Sequence, residues 1–367
     1  MKLYNFPYLI QKEILDHLSI NQLFFFSMCS KNINNLIKHA QKQLKKVERV
    51  RYCIKGTLMG IGVKMANEKY NYDLMYLYMS NKESQKFRGN ILVQEVNALA
   101  KPIDFMVSNL HGEYCTDALE SSITSIHNQL YDLLGNHTKF WIHSCDYNSR
   151  EATHFLPPLQ NIQKVDVSGP VLDPTEIDEF LDRSTCLEYF SIGTFRELPA
   201  IELRENSKLY DLDSVYVSTI GSGPCPMASD VLKRFNGRHA FLDGKIDTSD
   251  IIQFLNEWKL GEKYKNLELI TVDHRFHIQE ILRSVQIKEV DRDVRCSFIR
   301  RFEEQNREFS HLDSGEFTSR LYMVRESDGR VASVMLTPEL IMMGVWNMTE
   351  KEFLIKFNQP IEAIPFF

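Results

Sequence analysis

Apolar residues at Ile10, Ile14 and Leu18 recur every fourth position behind Phe6 and Pro7, which predicts a first helix with one apolar face. Asn5 stands where a side chain caps that helix, and Pro7 suits its first turn. Ser19 and Gln22 have the spacing of a capping box, in which each side chain satisfies the other's free backbone N–H. They open a second helix carrying Leu23, Phe24 and Phe26. A third helix begins at Ser30 or Lys31 and carries Ile33, Leu36, Ile37, Ala40 and Leu44. Three short helices bury too little surface to be robust alone, so this block needs a partner or the rest of the chain against its apolar face.

Further along, the pattern changes to a long period. Ile162-x-x-Val165-x-Val167 recurs as Leu187-x-x-Phe190-x-Ile192 and as Leu212-x-x-Val215-x-Val217, each step being 25 residues. The pattern returns at Leu267-x-x-Ile270-x-Val272, with weaker copies at Phe140 and Ile142 and around Phe241. Such a period is the mark of leucine-rich-repeat-like units, which stack because no single unit can bury its own apolar face. The last two apolar positions of each copy point inward from a strand, and the residue between them is expected to face out. Asp173 to Glu176 and Asp247 to Asp250 read as caps of two helices, one with Ile177, Phe180 and Leu181 inside and the other with Ile251, Phe254 and Leu255.

The flanks read as strands. Arg51–Ile54, Leu58–Val63 and Tyr72–Met79 predict a small antiparallel sheet, with Gly56, Gly60 and Gly62 between and within the runs. Gly60-Ile61-Gly62 lacks the third glycine of a dinucleotide loop. Asp291 to Glu308 is highly charged and amphipathic. Leu321–Val324 and Val331–Leu336, joined through Asp328-Gly329, have the form of a hairpin. Ile341–Trp346 adds a strand, and Thr349 with Glu352 caps a last helix containing Phe353 and Phe357.

Composition narrows the function. The 367 residues suit two or three domains, and a formal net charge of −6 argues against a generic nucleic-acid binder. The basic run Lys38, Lys42, Lys45, Lys46, Arg49 and Arg51 reads as a solvated helix face. The 7 cysteines are scattered without a Cys-x-x-Cys pair, which fits reduced thiols in the cytoplasm or nucleus and no zinc site. No signal region and no bilayer-length apolar run is evident, so a membrane role is not expected.

The N-terminal block resembles an F-box through Phe6-Pro7, Ile10, Ile14, Leu18, Leu23, Ser27, Cys29, Ser30, Lys31 and Leu36. Phe6 replaces the usual Leu, and Ile33 stands where many F-boxes carry Trp. Asp328-Gly-Arg-Val-Ala-Ser-Val334, Gly344-Val-Trp346, Ser249 to Trp258 and Leu267-Glu-Leu269 resemble the F-box-associated (FBA type 2) domains of nematode F-box proteins. The expected fold is mixed α/β (α+β). It has a three-helix F-box over 3–47, a small antiparallel β segment over 48–110, a leucine-rich-repeat-like β-α solenoid over 111–290 and a C-terminal β-hairpin region over 291–367.

The resemblance implies a substrate receptor of an SCF-type cullin–RING ubiquitin ligase. A Skp-family adaptor, and through it a cullin, would bind the F-box, and an unknown protein target would bind the rest. Adaptor contact falls to Phe6, Pro7, Ile10, Ile14, Leu23, Phe26, Ile33 and Leu36, some of which must instead form the block's own core. Target contact falls to the outward strand positions Trp141, Asp166, Ser191, Tyr216 and Thr271, with Trp141 serving either as an interface anchor or as core. Trp258 and Trp346 read as structural.

The competing class is an enzyme. His274, His277 and Glu280 lack a further metal ligand, and Cys145 near His143 lacks a complete nucleophile constellation. No catalytic activity, cofactor or metal is therefore expected. The remaining alternative is a protein–protein scaffold with the same repeats and no ligase role.

Overall fold

The computed structural model describes residues 3–41, 44–55, 58–66, 71–78, 116–145, 156–157, 159–169, 173–194, 203–219, 226–290, 296–300 and 315–357. The chain forms two compact units, Met1–Val171 with Asp182–Leu187, and Leu172–Leu181 with Glu188–Phe367. Both are mixed α/β.

The first unit begins with helices α1 (Tyr8–Asp16), α2 (Ile20–Ser27) and α3 (Lys31–Ala40). Asn5 does not cap α1: it sits in a 3-10 turn, and the cap is Pro7, whose carbonyl accepts from Ile10 and Gln11. The helix thus starts too late for an Asn5 side chain to reach its first free N–H groups. The capping box of α2 forms as expected, Ser19 Oγ accepting from Gln22 N at 3.3 Å and Gln22 Oε1 accepting from Ser19 N at 2.9 Å. Ser30 caps α3 through Ile33 N at 3.2 Å. That helix stops at Ala40, which leaves Leu44 outside it, buried at the start of a 3-10 turn.

Strands β1 (Val47–Lys55), β2 (Leu58–Met65) and β3 (Asn71–Tyr78) form the antiparallel meander that the sequence predicts. It is not a separate segment. After helix α4 (Thr116–Leu134), strand β4 (Lys139–Cys145) pairs with β1 in parallel, and β5 (Ile162–Gly169) pairs with β4 in parallel. The sheet order is β5-β4-β1-β2-β3. Val50, Tyr52, Ile54, Phe140, Ile142, Val165 and Val167 are buried, and α4 lays His127 and Tyr131 against Phe140, with ring centroids 4.8 and 5.8 Å away.

The second unit holds most of helix α5 (Pro174–Arg183), then β6 (Tyr189–Thr194), β7 (Ser214–Thr219), α6 (Pro226–Arg234), β8 (His239–Asp243), α7 (Thr248–Leu260) and β9 (Leu269–Asp273). Strands β6 to β9 are parallel and in register, with Phe190, Val215, Ala240 and Ile270 side by side. This is the predicted repeat seen as strand pairing. Of the two predicted helix caps, Asp173 accepts from Thr175 N at 2.8 Å, whereas Asp247 holds the capping position of α7 without a side-chain bond.

The weak copy near Phe241 has a simple cause. Where the strong copies place leucine or isoleucine, this one has Gly237, and a Cβ there would meet the Leu212 carbonyl at 1.9 Å and the Phe235 ring at 2.6 Å. Phe235, buried, occupies the missing leucine's place.

A polar position precedes that leucine in every copy: Asn161, Cys186, Asp211, Asn236 and Asn266. Cys186 Sγ approaches Asn161 Oδ1 at 3.7 Å, Asn236 Nδ2 donates to Asp211 Oδ1 at 2.9 Å, and Asn266 Nδ2 donates to the Asn236 carbonyl at 3.0 Å. These side chains stitch neighbouring loops at one end of the strands.

Helix α8 (Ile278–Ser284) and the short β10 (Lys288–Glu289) follow. Within the charged stretch expected after 290, the described part is a strand, β11 (Cys296–Arg300), paired with β12 (Gly315–Ser319). Then come β13 (Leu321–Val324), β14 (Arg330–Leu336), β15 (Leu340–Thr349) and α9 (Glu350–Phe357). The β13–β14 hairpin turns through Gly329 at φ 72°. Strand β15 joins β9 antiparallel, giving the order β10-β13-β14-β15-β9-β8-β7-β6.

The hairpin is locked to α7 from below. Buried Arg325 forks onto Asp328 at 2.9 and 2.6 Å and lies 5.4 Å from the Trp258 ring, which is itself fully buried. Trp346 donates to Ser333 Oγ at 2.8 Å, so both tryptophans have structural duties.

Candidate docking surface

Helix α1 has more apolar residues than one buried stripe can use. Gln11 and Leu15 face inward, and Gln11 Nε2 donates to the Phe6 carbonyl at 2.6 Å. Tyr8, Leu9, Ile10 and Ile14 are left outside, with Leu9 74%, Ile10 46% and Ile14 38% exposed. Met28, just past α2, is also exposed. Elsewhere among the described residues, large exposed apolar side chains occur singly, at Leu260, Leu282 and Ile355. Single exposures are ordinary, whereas a contiguous stripe marks an interaction surface. Burying such a side chain on a partner is worth about 1.5–3 kcal/mol before the cost of association.

The structure sorts the eight expected adaptor contacts. Pro7, Ile10 and Ile14 are exposed, Phe6, Phe26, Ile33 and Leu36 are half-buried, and Leu23 is at 0% exposure. Leu23 therefore belongs to the core of the helical block, beside Phe24 and Ile37. Tyr8, Leu9 and Met28 are exposed apolar residues that the sequence reading did not single out. The signal for the first two was present: three consecutive apolar residues, Tyr8-Leu9-Ile10, cannot all face one side of a helix.

The helical block is held from behind by α4. Gln129 Nε2 donates to Ser27 Oγ at 3.0 Å. Asp132 accepts from Asn34 Nδ2 at 2.6 Å and from Lys38 Nζ at 2.5 Å. The Lys38 hydrogen bond, with that of Asn34, holds the Asp132 carboxyl below its ordinary range. At the other end, Gln41 Nε2 donates to Asp16 Oδ1 at 3.1 Å, and Lys12 bonds the same carboxylate at 2.7 Å. These bonds fix α1 to α3 and α3 to α4, and leave the α1 stripe outside.

Of the five expected target contacts, which were to face out, four are buried. Trp141 is 3% exposed, and the Arg49 guanidinium and the Lys164 ammonium lie 3.7 and 4.8 Å from its ring centroid. Asp166 is buried and bonds His143 Nδ1 at 2.8 Å. Ser191 and Thr271 are buried as well, next to Tyr216 and Phe241 in the neighbouring strands. Tyr216 alone of the five is partly open, with its ring 6.4 Å from that of Phe241. Alternation along a strand sets which side a residue takes, but not whether that side meets water.

His277 is the N-terminal flank of α8, His274 packs its ring against Phe276, and Cys145 is buried. Among the described residues no group of three His, Cys, Asp or Glu could hold a metal ion. No helix among them is long and apolar enough to cross a membrane.

A helical block with a solvent-facing apolar stripe, carried on an α/β body, defines a protein-docking module. Residues 3–43 match the F-box domain family, so this block is an F-box domain. The comparisons with curated proteins and with solved structures find no match.

Proposed function

We propose that this chain is the substrate-recognition subunit of an SCF-type cullin–RING ubiquitin ligase. The F-box binds a Skp-family adaptor and, through it, a cullin. The strands and helices beyond it hold a target protein, and ubiquitin transfer belongs to other subunits, so the chain itself performs no chemistry. One observation carries the reading: the matched F-box keeps Leu9, Ile10 and Ile14 in solvent while its other helices are fixed to the body. The leucine-rich-repeat-like character of β6 to β9 and the FBA-like character of the C-terminal hairpin belong to the same proposal, as does residence in the cytoplasm or nucleus.

The test is co-purification of the full-length chain with a Skp-family adaptor, alongside Ile10→Asp with Ile14→Asp. The wild type should form a stable complex and the double variant should lose it while melting like the wild type. A well-folded wild type that ignores the adaptor would sink the ligase reading and leave a protein-binding scaffold.

A further inference from the structure

The second unit carries an open groove of about 410 Å³ at the end of the sheet from which β7, β8 and β9 start. Its polar lining is not symmetric in what remains available. Arg238 forks onto Asp213 at 2.5 and 2.8 Å and lies 3.6 Å from Glu268, whose other oxygen lies 3.6 Å from His239. Asp211 receives the Asn236 amide. The opposite charges are less engaged. Lys265 has no side-chain partner among the described residues. Arg330 has one ion pair, to Asp328 at 3.4 Å, and Asp328 is already gripped at two points by Arg325.

Lys265 and Arg330 stand on one wall because Arg325 holds both. Its Nη1 reaches the Lys265 carbonyl at 3.4 Å, and its backbone N–H donates to the Arg330 carbonyl at 2.8 Å. Arg325 thus ties down both backbones, its guanidinium bonding that of Lys265 and its own N–H that of Arg330. Asn266, beside Lys265, donates its amide to the neighbouring Asn236 carbonyl and lines the same groove.

We infer that this groove receives a carboxylate side chain from an acidic peptide segment of the target protein, with Lys265 and Arg330 as the binding cations. The inference rests on the reading that this part of the chain holds the target, and it names the chemistry of that target. An Arg and a Lys on a fixed wall suit an oxyanion, because the planar fork pairs two oxygens and the ammonium adds a compact charge.

The experiment selects a random dodecapeptide display library on immobilised full-length chain and measures synthesised winners by fluorescence anisotropy. The expected result is an Asp/Glu-rich consensus whose winners bind at least tenfold more weakly to Lys265→Glu with Arg330→Glu. Both residues are exposed, and Lys265→Gln with Arg330→Gln repeats the comparison without added negative charge. A winner with its acidic residues changed to Lys should bind the charge-reversed variant better than the wild type. An absent acidic consensus, or winners indifferent to these substitutions, would overturn the inference. A winner that tightens tenfold with phosphoserine at the acidic position would also overturn it, moving the ligand from carboxylate to phosphate. Adaptor binding by the same variants is measured in parallel. Its absence in the wild type would count against the ligase reading, and its retention alongside failed selection would count against the groove alone.

Discussion

At the scale of single residues, Gly261 shows how much one position can hold. It ends α7 at φ 80°, and a methyl group there would lie 1.9 Å from Ser327 Oγ. Gly261→Ala therefore combines left-handed strain of about 1–2 kcal/mol with a steric clash. A drop of several degrees in melting temperature is expected, with part of the clash relieved by adding Ser327→Gly. Leu23 and Ile10 make the complementary pair. Leu23→Ala removes a fully buried side chain and should cost about 2–5 kcal/mol in denaturant unfolding, whereas Ile10→Ala, at an exposed site, should cost within about 0.5 kcal/mol. Equal losses would mean that α1 buries Ile10 after all.

Among the elements, α4 is the hinge between chemistry and architecture. His127 donates from Nε2 to the Gln160 carbonyl at 2.8 Å, which leaves Nδ1 to accept from the Tyr52 hydroxyl at 2.8 Å. Burial holds the imidazole below its ordinary pKa of 6.5. An unfolded chain takes up that proton near 6.5 while the folded chain resists it, so this contribution to stability is complete above pH 6.5 and declines as pH falls below it. The urea midpoint should drop between pH 7 and about 5.5, and His127→Gln should flatten that slope. Asp132 acts in the same direction at lower pH, since protonating it removes the acceptor for Lys38 and Asn34.

The sequence made some of these elements legible and hid others for physical reasons. Ser19 with Gln22, Ser30, and the Asp328-Gly329 turn are local chemistry, and α2, α3 and the β13–β14 hairpin appear where they say. The 25-residue spacing marked Phe190 and Val215, which lie side by side in β6 and β7, but left only a weak copy at β8. The pairing of β1 with β4 did not, because a parallel contact across so many residues leaves no local trace. Nor did the inward turn of Leu23 and outward turn of Ile10, since both are apolar and only packing against neighbouring helices distinguishes them. For α4 the signal existed, with Ile123, Ile126, Leu130 and Leu133 at helical spacing, in a stretch read only as the start of a repeat region.

For the molecule as a whole, the F-box is part of a body and not a detachable head. Its second and third helices are bonded to α4, and β1 follows directly from the buried Leu44 turn. Deleting residues 1–46 should therefore expose the bonded face of α4 and yield a chain that aggregates or is digested rapidly by trypsin. Size-exclusion chromatography and near-ultraviolet circular dichroism would show this, and a monomeric, cooperatively melting deletion would contradict it. Surface substitutions on α1 are consequently the cleaner probe of adaptor binding.

The stitched loop positions carry one more consequence. From Asn161 to Cys186 and from Asp211 to Asn236 the chain advances 25 residues, yet from Asn236 to Asn266 it advances 30, and the stitch persists. The surplus is shared between α7, with 13 residues against 9 in α6, and the connection that runs from Gly261 to Asn266. Extra length is thus accepted both in the helix and in the connection after it, as long as the stitched side chain keeps its partner. An engineer could lengthen or shorten the return helices, or graft new ones, and leave the groove mouth in place. The reverse experiment, one extra residue between Asn236 and Arg238, would throw the following strand out of step with its neighbours.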